Sequence, residues 1–200
     1  MSQKERLEYL TSKINRNSGL KDAIFDICDG TYFYPPEDLM EDLGWLLEGG
    51  CKEEYDLLPF TDDGCGGLYV LVNDEHVAYI DSEGSAGYIA ENIDDFFSIL
   101  LTFRYFCTSP EIFESYEKFL EEYNSDLLAD EIESDPKVDK FIKEENLETD
   151  KKKLYEKLVK GLTILPKFSI TATEDDYVDY ENILGIEEDE FEELCKKYHG

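Results

Sequence analysis

The chain is 200 residues long and carries 49 Asp and Glu against 19 Lys and Arg, a formal net charge of −30. A hydrophobic fraction of 42% and an aromatic fraction of 14% exclude an acidic disordered chain, which is poor in aromatic and β-branched residues. The charge argues against nucleic acid and anionic membranes as partners, since both are bound through Lys and Arg.

A chain of this length is expected to bury roughly 70% of its unfolded surface, so a real core accompanies the charge. A field of this sign attracts cationic proteins and accelerates encounter by about 10- to 1000-fold at low salt. It also keeps a protein soluble, and charge alone does not separate the two roles. The five cysteines, Cys28, Cys51, Cys65, Cys107 and Cys195, are odd in number, widely spaced and without a C-x-x-C pair. They suggest neither a disulfide framework nor a zinc site. Residues 1–8 are charged, with no apolar signal-peptide core, and the longest apolar stretch, residues 96–107, is too short for a bilayer and contains Arg104. A reducing cytoplasm is the expected location.

Ser2-Gln3-Lys4-Glu5 has the form of a capping box, and Leu7, Leu10 and Ile14 follow at helical spacing. Asn17-Ser18-Gly19 is expected to stop this helix. Residues 20–28 are apolar and ambiguous between helix and strand. Pro35-Pro36-Glu37-Asp38 predicts a helix start, with Leu39, Leu43, Leu46 and Leu47 on one face and Gly49-Gly50 as its end.

Asp62-Asp63-Gly64-Cys65-Gly66-Gly67 reads as a turn. Residues 68–72 and 76–80 read as two strands joined across Asn73-Asp74-Glu75 at hairpin distance. Asn92 is placed to cap a helix with Asp94 and Asp95 in its first turn and a wide apolar face through Ile93, Phe96, Phe97, Leu100, Leu101 and Phe103.

Ser109-Pro110-Glu111 predicts another helix, with Ile112, Phe113, Tyr116, Phe119, Leu120 and Tyr123 as its buried stripe. Asp135-Pro136 starts a short helix. Thr149 is the expected cap of a helix carrying Leu154, Leu158 and Leu162, residues 168–171 suggest a strand, and Phe191, Leu194, Cys195 and Tyr198 mark a terminal helix. The pattern predicts an α+β fold, a mainly antiparallel sheet flanked by helices over residues 1–109. A mainly helical extension, residues 110–200, is expected to pack on it in one compact unit.

Catalytic signals are sparse. His76 lies inside an expected strand and His199 is penultimate, which argues against a His-based triad or a His-rich metal site. Gly64-Cys65-Gly66-Gly67 lacks the Lys and Ser/Thr of a phosphate loop and leads into a strand. Asp62-Asp63 or Asp94-Asp95 could hold a hard cation, but no EF-hand run is present, and the helix dipole accounts for Asp94 and Asp95. Cys65 stands beside Asp62 and Asp63, the reverse of the electropositive setting a reactive thiol needs. No catalytic residue, cofactor site or metal site is therefore expected.

Two acidic runs are candidate partner-binding surfaces. One is Glu174, Asp175, Asp176 and Asp179, interleaved with Tyr177 and Tyr180; the other is Glu187, Glu188, Asp189 and Glu190 ahead of the last helix. Tyrosine among acids suits a wet protein interface. A solvated face and a favoured helix start explain the same residues.

The middle of the chain, roughly residues 30–103, resembles the SUKH superfamily, known for immunity proteins of bacterial polymorphic toxin systems. The likeness is an order of features. Pro36-Glu37-Asp38-Leu39 leads to Gly49-Gly50. The acidic glycine turn at 62–67 then leads into Leu68-Tyr69-Val70-Leu71, a second strand ends near Ile80-Asp81, and Tyr88-Ile89-Ala90-Glu91-Asn92-Ile93-Asp94-Asp95-Phe96-Phe97 enters a helix. Glu48 departs from the family's asparagine before the glycine pair, and residues 110–200 have no counterpart in the pattern.

The resemblance implies an antiparallel sheet flanked by helices and a non-enzymatic role: binding and neutralising a cognate toxin, often a nuclease. It carries over no catalytic or interface residue. A basic toxin or other basic protein is the expected partner, with oligomeric state open. A regulatory or scaffold adaptor binding host proteins is the alternative. A carboxylate-dependent hydrolase, which needs a concave pocket with facing acids, is a third reading.

Overall fold

A computed structural model describes residues 1–28, 30–47, 55–106, 108–126, 135–172 and 178–199. Helix α1, Gln3–Asn15, opens with the capping box: the Ser2 hydroxyl accepts from Glu5 N, and the Glu5 carboxylate accepts from Ser2 N. The first helix does stop just before residues 17–19, but Gly19 is not what stops it. α1 ends one residue earlier at the Arg16 cap, and Asn17 instead caps α2, Ser18–Ile27, accepting from Leu20 N. Gly19 sits in the first turn of α2 with Lys137 alongside. Asparagine between two helices satisfies the free amides of the second, and this settles the ambiguous apolar segment as helix.

α3 spans Pro36–Leu46, as the proline-and-acid signal indicates, and buries Leu39 and Leu43. Its expected end at Gly49-Gly50 lies outside the described residues.

Among the described residues the sheet has five strands in the order β1 to β5. β1 (Leu57–Asp62), β2 (Leu68–Val72), β3 (His76–Ile80) and β4 (Ser85–Ala90) form an antiparallel meander, and the two-residue β5 (Glu181–Asn182) adds in parallel to the start of β4. The β2–β3 hairpin turns through Asn73 and Asp74, both left-handed at φ 54° and 56°, with Glu75 N donating to Val72 O. A turn of this hand matches the strand twist and fixes the register that sets Tyr69 opposite Tyr79.

Both edges of the sheet are covered. Residues 31–34 run along β1, with Tyr34 N donating to Phe60 O and a bridge between Phe33 and Thr61. On the far side β5 covers the start of β4, and Gly161 of α7 (Lys151–Leu162) presses on the Ile89–Ala90 backbone. Covered edges remove the template for unwanted strand pairing.

Each face of the sheet carries its own core. On one, α4 (Ile93–Phe103) is buried nearly all round and packs with α1, α2 and α7 over Phe60, Tyr69, Leu71, Val77 and Ile89. On the other, Leu39 and Leu43 of α3 join Phe168 and Ile170 over Leu68, Val70, Val72, Ala78, Ile80 and Tyr88. Asn92 caps α4 as its position suggests, accepting from Asp95 N and donating to the Asp95 carboxylate. Asp95 also pairs with Lys157, and Asp94 with Arg6.

Three further expectations are corrected by the structure. The single helix expected after Ser109 is split into a 3-10 turn, Pro110–Phe113, and α5, Tyr116–Asp126. Asp150, not Thr149, caps α7, accepting from Lys152 N and Lys153 N; a carboxylate serves two orphan amides there. Residues 168–171 form no strand: Phe168 and Ile170 alternate because both enter the second core, and Ile170 O takes one bond from Tyr180 N. Strands β1 and β4 were not anticipated. α6 (Pro136–Glu145) begins at the Asp135 cap and packs on α2 and α4, and α8 (Glu188–His199) buries Phe191 and Cys195. Among the described residues no helix is long and apolar enough to cross a membrane.

Candidate protein-binding surface

The acidic runs singled out in the sequence fall in different settings. Glu174, Asp175, Asp176 and Tyr177 lie outside the described residues. Asp179 is exposed and accepts from Ala172 N. Tyr180 is half-buried and its hydroxyl donates to Leu46 O at the end of α3. Glu187, Glu188, Asp189 and Glu190 are all exposed at the front of α8, where Glu187 O accepts from Phe191 N and Glu188 pairs with Lys167. The described residues of the two runs thus supply hydrogen bonds and an ion pair as well as charge.

Sequence reasoning did not foresee a cleft of about 290 Å³ at one end of the sheet. Its walls come from the β1–β2 turn (Asp63), the paired Tyr69 and Tyr79, the β3–β4 turn (Asp81) and the segment after α4 (Tyr105, Phe106). Tyr79 stands over Gly67, where a Cβ would lie within 2.2 Å of the tyrosine oxygen, so only glycine leaves room for the ring. Its hydroxyl donates to the Asp63 carboxylate, which also accepts from Cys65 N and Gly67 N. Asp81 accepts from Glu83 N and from the Ser85 hydroxyl.

Burial pushes the Tyr79 hydroxyl far above its ordinary range, helped by its bond to Asp63; burial does the same to Tyr69. The phenols therefore stay protonated donors. The cleft is concave and holds two acids, the minimum for the hydrolase reading, but those acids are engaged in holding turns. What the cleft offers a visitor is ring faces and residual carboxylate lone pairs, which suits a cationic group. The one signal for it in the sequence was the hairpin, whose turn places Tyr69 opposite Tyr79; nothing in the sequence placed Tyr105 or Phe106 beside them.

The remaining candidates for chemistry are held by ordinary contacts. His76 Nδ1 meets Glu91 O at 2.8 Å, and His199 Nε2 meets the Thr163 hydroxyl at 2.9 Å. Cys28 is buried, which pushes its thiol up to about 12, and Cys65 is exposed beside the acids of its turn. Among the described residues no group of three or more His, Cys, Asp and Glu is placed to hold a metal ion.

Charge is distributed unevenly over the molecule. Between Lys21 and Arg104 the sequence has a single Lys or Arg, Lys52, while acids occur throughout. The cations of the described ion pairs sit on α1, α5, α6, α7, α8 and at Lys167. Glu145, for example, receives Arg6 and Lys13 together. By contrast Glu37, Asp38, Glu41 and Asp42 on α3 are exposed and form no ion pair among the described residues.

The acids are close enough to feel one another. Burial raises the Asp62 carboxyl, with Asp63 and Asp42 adding to the effect against the Gly64 amide and the Tyr34 hydroxyl. An acidic surface therefore runs from α3 through the end of β1 to the cleft. No protein-family model matches the chain, and no curated protein or solved structure is significantly similar to it.

Proposed function

We propose that this chain is a cytoplasmic, non-enzymatic binding protein of the immunity type. In this reading it neutralises a cognate basic toxin, such as a nuclease, by occupying the toxin's cationic surface. The observation that carries the reading is the one-sided charge: an acidic surface from α3 through the end of β1 to the cleft, a single lysine in the sequence from 22 to 103, and no ion pair for the α3 acids among the described residues. Nuclease surfaces are basic because they bind phosphates. An acidic inhibitor presents carboxylates where the phosphates would lie. The order of features resembling SUKH immunity proteins points the same way, and the acidic turn at 62–67 belongs to both arguments.

The test is affinity capture of the tagged protein from lysate of its source organism at low and moderate salt, with mass spectrometry of what is retained. The captured partner is then purified and its activity titrated with the protein. One dominant basic partner, weakened by salt and fully inhibited at one equivalent, is the expected result. Several host regulatory proteins, none of them inhibited, would replace this reading with that of an adaptor.

A further inference from the structure

We infer that the outward face of α3 is a docking surface for a basic, amphipathic segment of a partner protein; this rests on the proposed function and names where its partner seats. α3 turns Leu39 and Leu43 into the second core. At 3.6 residues per turn the opposite side presents Glu37, Glu41, Gly44 and Trp45, bordered by Asp38 and Asp42 on one flank and Met40 on the other. All seven are exposed.

Trp45, the only tryptophan in the chain, is 65% exposed and Met40 is 50% exposed. The other large exposed apolar side chains, Met1, Tyr9, Leu165 and Val178, are scattered over separate segments, so α3 is the one described helix that shows two. Tryptophan and methionine are enriched at the cores of protein interfaces, and tryptophan dominates binding hot spots.

Gly44 adds a second, steric observation. Glycine inside a helix is destabilising relative to alanine. A Cβ built on Gly44 meets nothing within 4 Å, so no contact among the described residues requires its absence. The glycine leaves a step free of side chain, beside Trp45 and one turn after Met40 and Glu41, where an inserted apolar group can approach the helix backbone.

Charge complementarity selects the occupant. Four carboxylates surround Met40, Gly44 and Trp45 without a cationic partner among the described residues. Lys and Arg flanking an apolar residue would pair with these acids, and an Arg or Lys could also lie over the indole. A nucleic acid is repelled by the same field, and so is the α3 face of a second copy.

Trp45 makes the test direct, because its emission reports the face itself. Two synthetic peptides of equal length and charge are titrated into the full chain: an amphipathic Leu/Lys helix and a Ser/Lys peptide without apolar residues. The amphipathic peptide is expected to shift Trp45 emission to the blue and to bind at least tenfold more tightly. Gly44→Gln, which fills the step without adding charge, is expected to weaken that peptide at least fivefold while raising thermal stability, which separates lost binding from misfolding. E37Q/E41Q should weaken it similarly, and E188Q/D189N/E190Q should leave it unchanged.

Equal affinity for the two peptides, binding without an emission shift, or an equal loss in the α8 variant would overturn the inference. Because the probes are synthetic, a failure here beside a captured and inhibited basic partner would move the contact elsewhere and leave the proposed function standing. A failed capture beside a positive titration would remove the function and keep the surface.

Discussion

At the scale of single residues, two helical glycines carry opposite consequences for the same change. Gly161 in α7 faces β4 so closely that a Cβ would lie 2.6 Å from Ile89 O and 2.7 Å from the Ala90 Cα. Backbone cannot yield as a flexible side chain does, so Gly161→Ala should destabilise the fold by about 2 kcal/mol despite alanine's better helix propensity. Gly44→Ala meets open space and should stabilise it by about 0.5–1 kcal/mol. Chemical denaturation of both variants checks the pair; the same sign for both would contradict the packing of α7 on β4.

Asp62 gives a pH-dependent prediction. Its carboxyl is raised chiefly by burial, so the fold disfavours its ionised form, and the penalty develops as pH rises from the unfolded value through the folded one. Asp62→Asn removes that penalty. It should add roughly 0.5 kcal/mol at pH 7, modest because the group is partly exposed, and nothing at pH 3. Denaturant midpoints at the two pH values decide it, and a constant difference across pH would count against the cause given.

At the scale of elements, the helix signals that lie in short local codes were legible: the Ser2 box, the Asn92 cap, the Pro35-Pro36 start and the Asn73-Asp74 hairpin. What was not legible depended on distant partners. β1 carries Pro59 and β4 carries Gly87 among small residues, neither with clear apolar alternation, and they are strands because β2 and β3 supply their ladders. Residues 168–171 have the alternation and no ladder, because their apolar side chains are drawn to the core under α3. The candidate site followed the same rule. Acidic runs could be read off the chain, but the exposure of Trp45 and the meeting of Asp42, Asp62 and Asp63 required the fold.

The clamp between α1 and α6 also belongs to this scale. The Glu145 side chain is 4% exposed and receives Arg6 at 3.0 Å together with Lys13, while Arg6 also binds Asp94 at 2.8 Å in the first turn of α4. Burial pushes the Glu145 carboxyl up, but the bonds and charges of Lys13 and Arg6 outweigh it and hold it low. Its contribution is therefore present above the unfolded carboxyl value and is lost as pH falls through the folded one. Glu145→Gln should destabilise the protein by about 2 kcal/mol at pH 7, since two cations lose a buried partner. The gap between variant and wild type should narrow below pH 4. Unfolding curves at pH 7 and pH 3 measure it, and a gap that widens in acid would contradict the clamp.

At the scale of the whole molecule, the charge is both a burden and a means of recognition. A net charge of −30 on 200 residues repels itself, and screening relieves exposed repulsions more than buried pairs. The melting temperature should therefore rise by several degrees between low salt and about 0.5 M NaCl, whereas affinity for a basic partner should fall over the same range. A protein stabilised by the salt that weakens its complex is the signature expected of an acidic recognition surface; a melting temperature that falls with salt would contradict the claim of net repulsion.

The measurement that bears most directly on this account is capture of the partner with three baits side by side. The first is the wild type, the second carries E37Q, D38N, E41Q and D42N on α3, and the third carries E187Q, E188Q, D189N and E190Q at the front of α8. The account predicts one dominant basic protein on the wild type and on the α8 bait, and its loss from the α3 bait. Retention on the α3 bait with loss from the α8 bait, or a wild-type bait that holds no basic protein even at low salt, would contradict it.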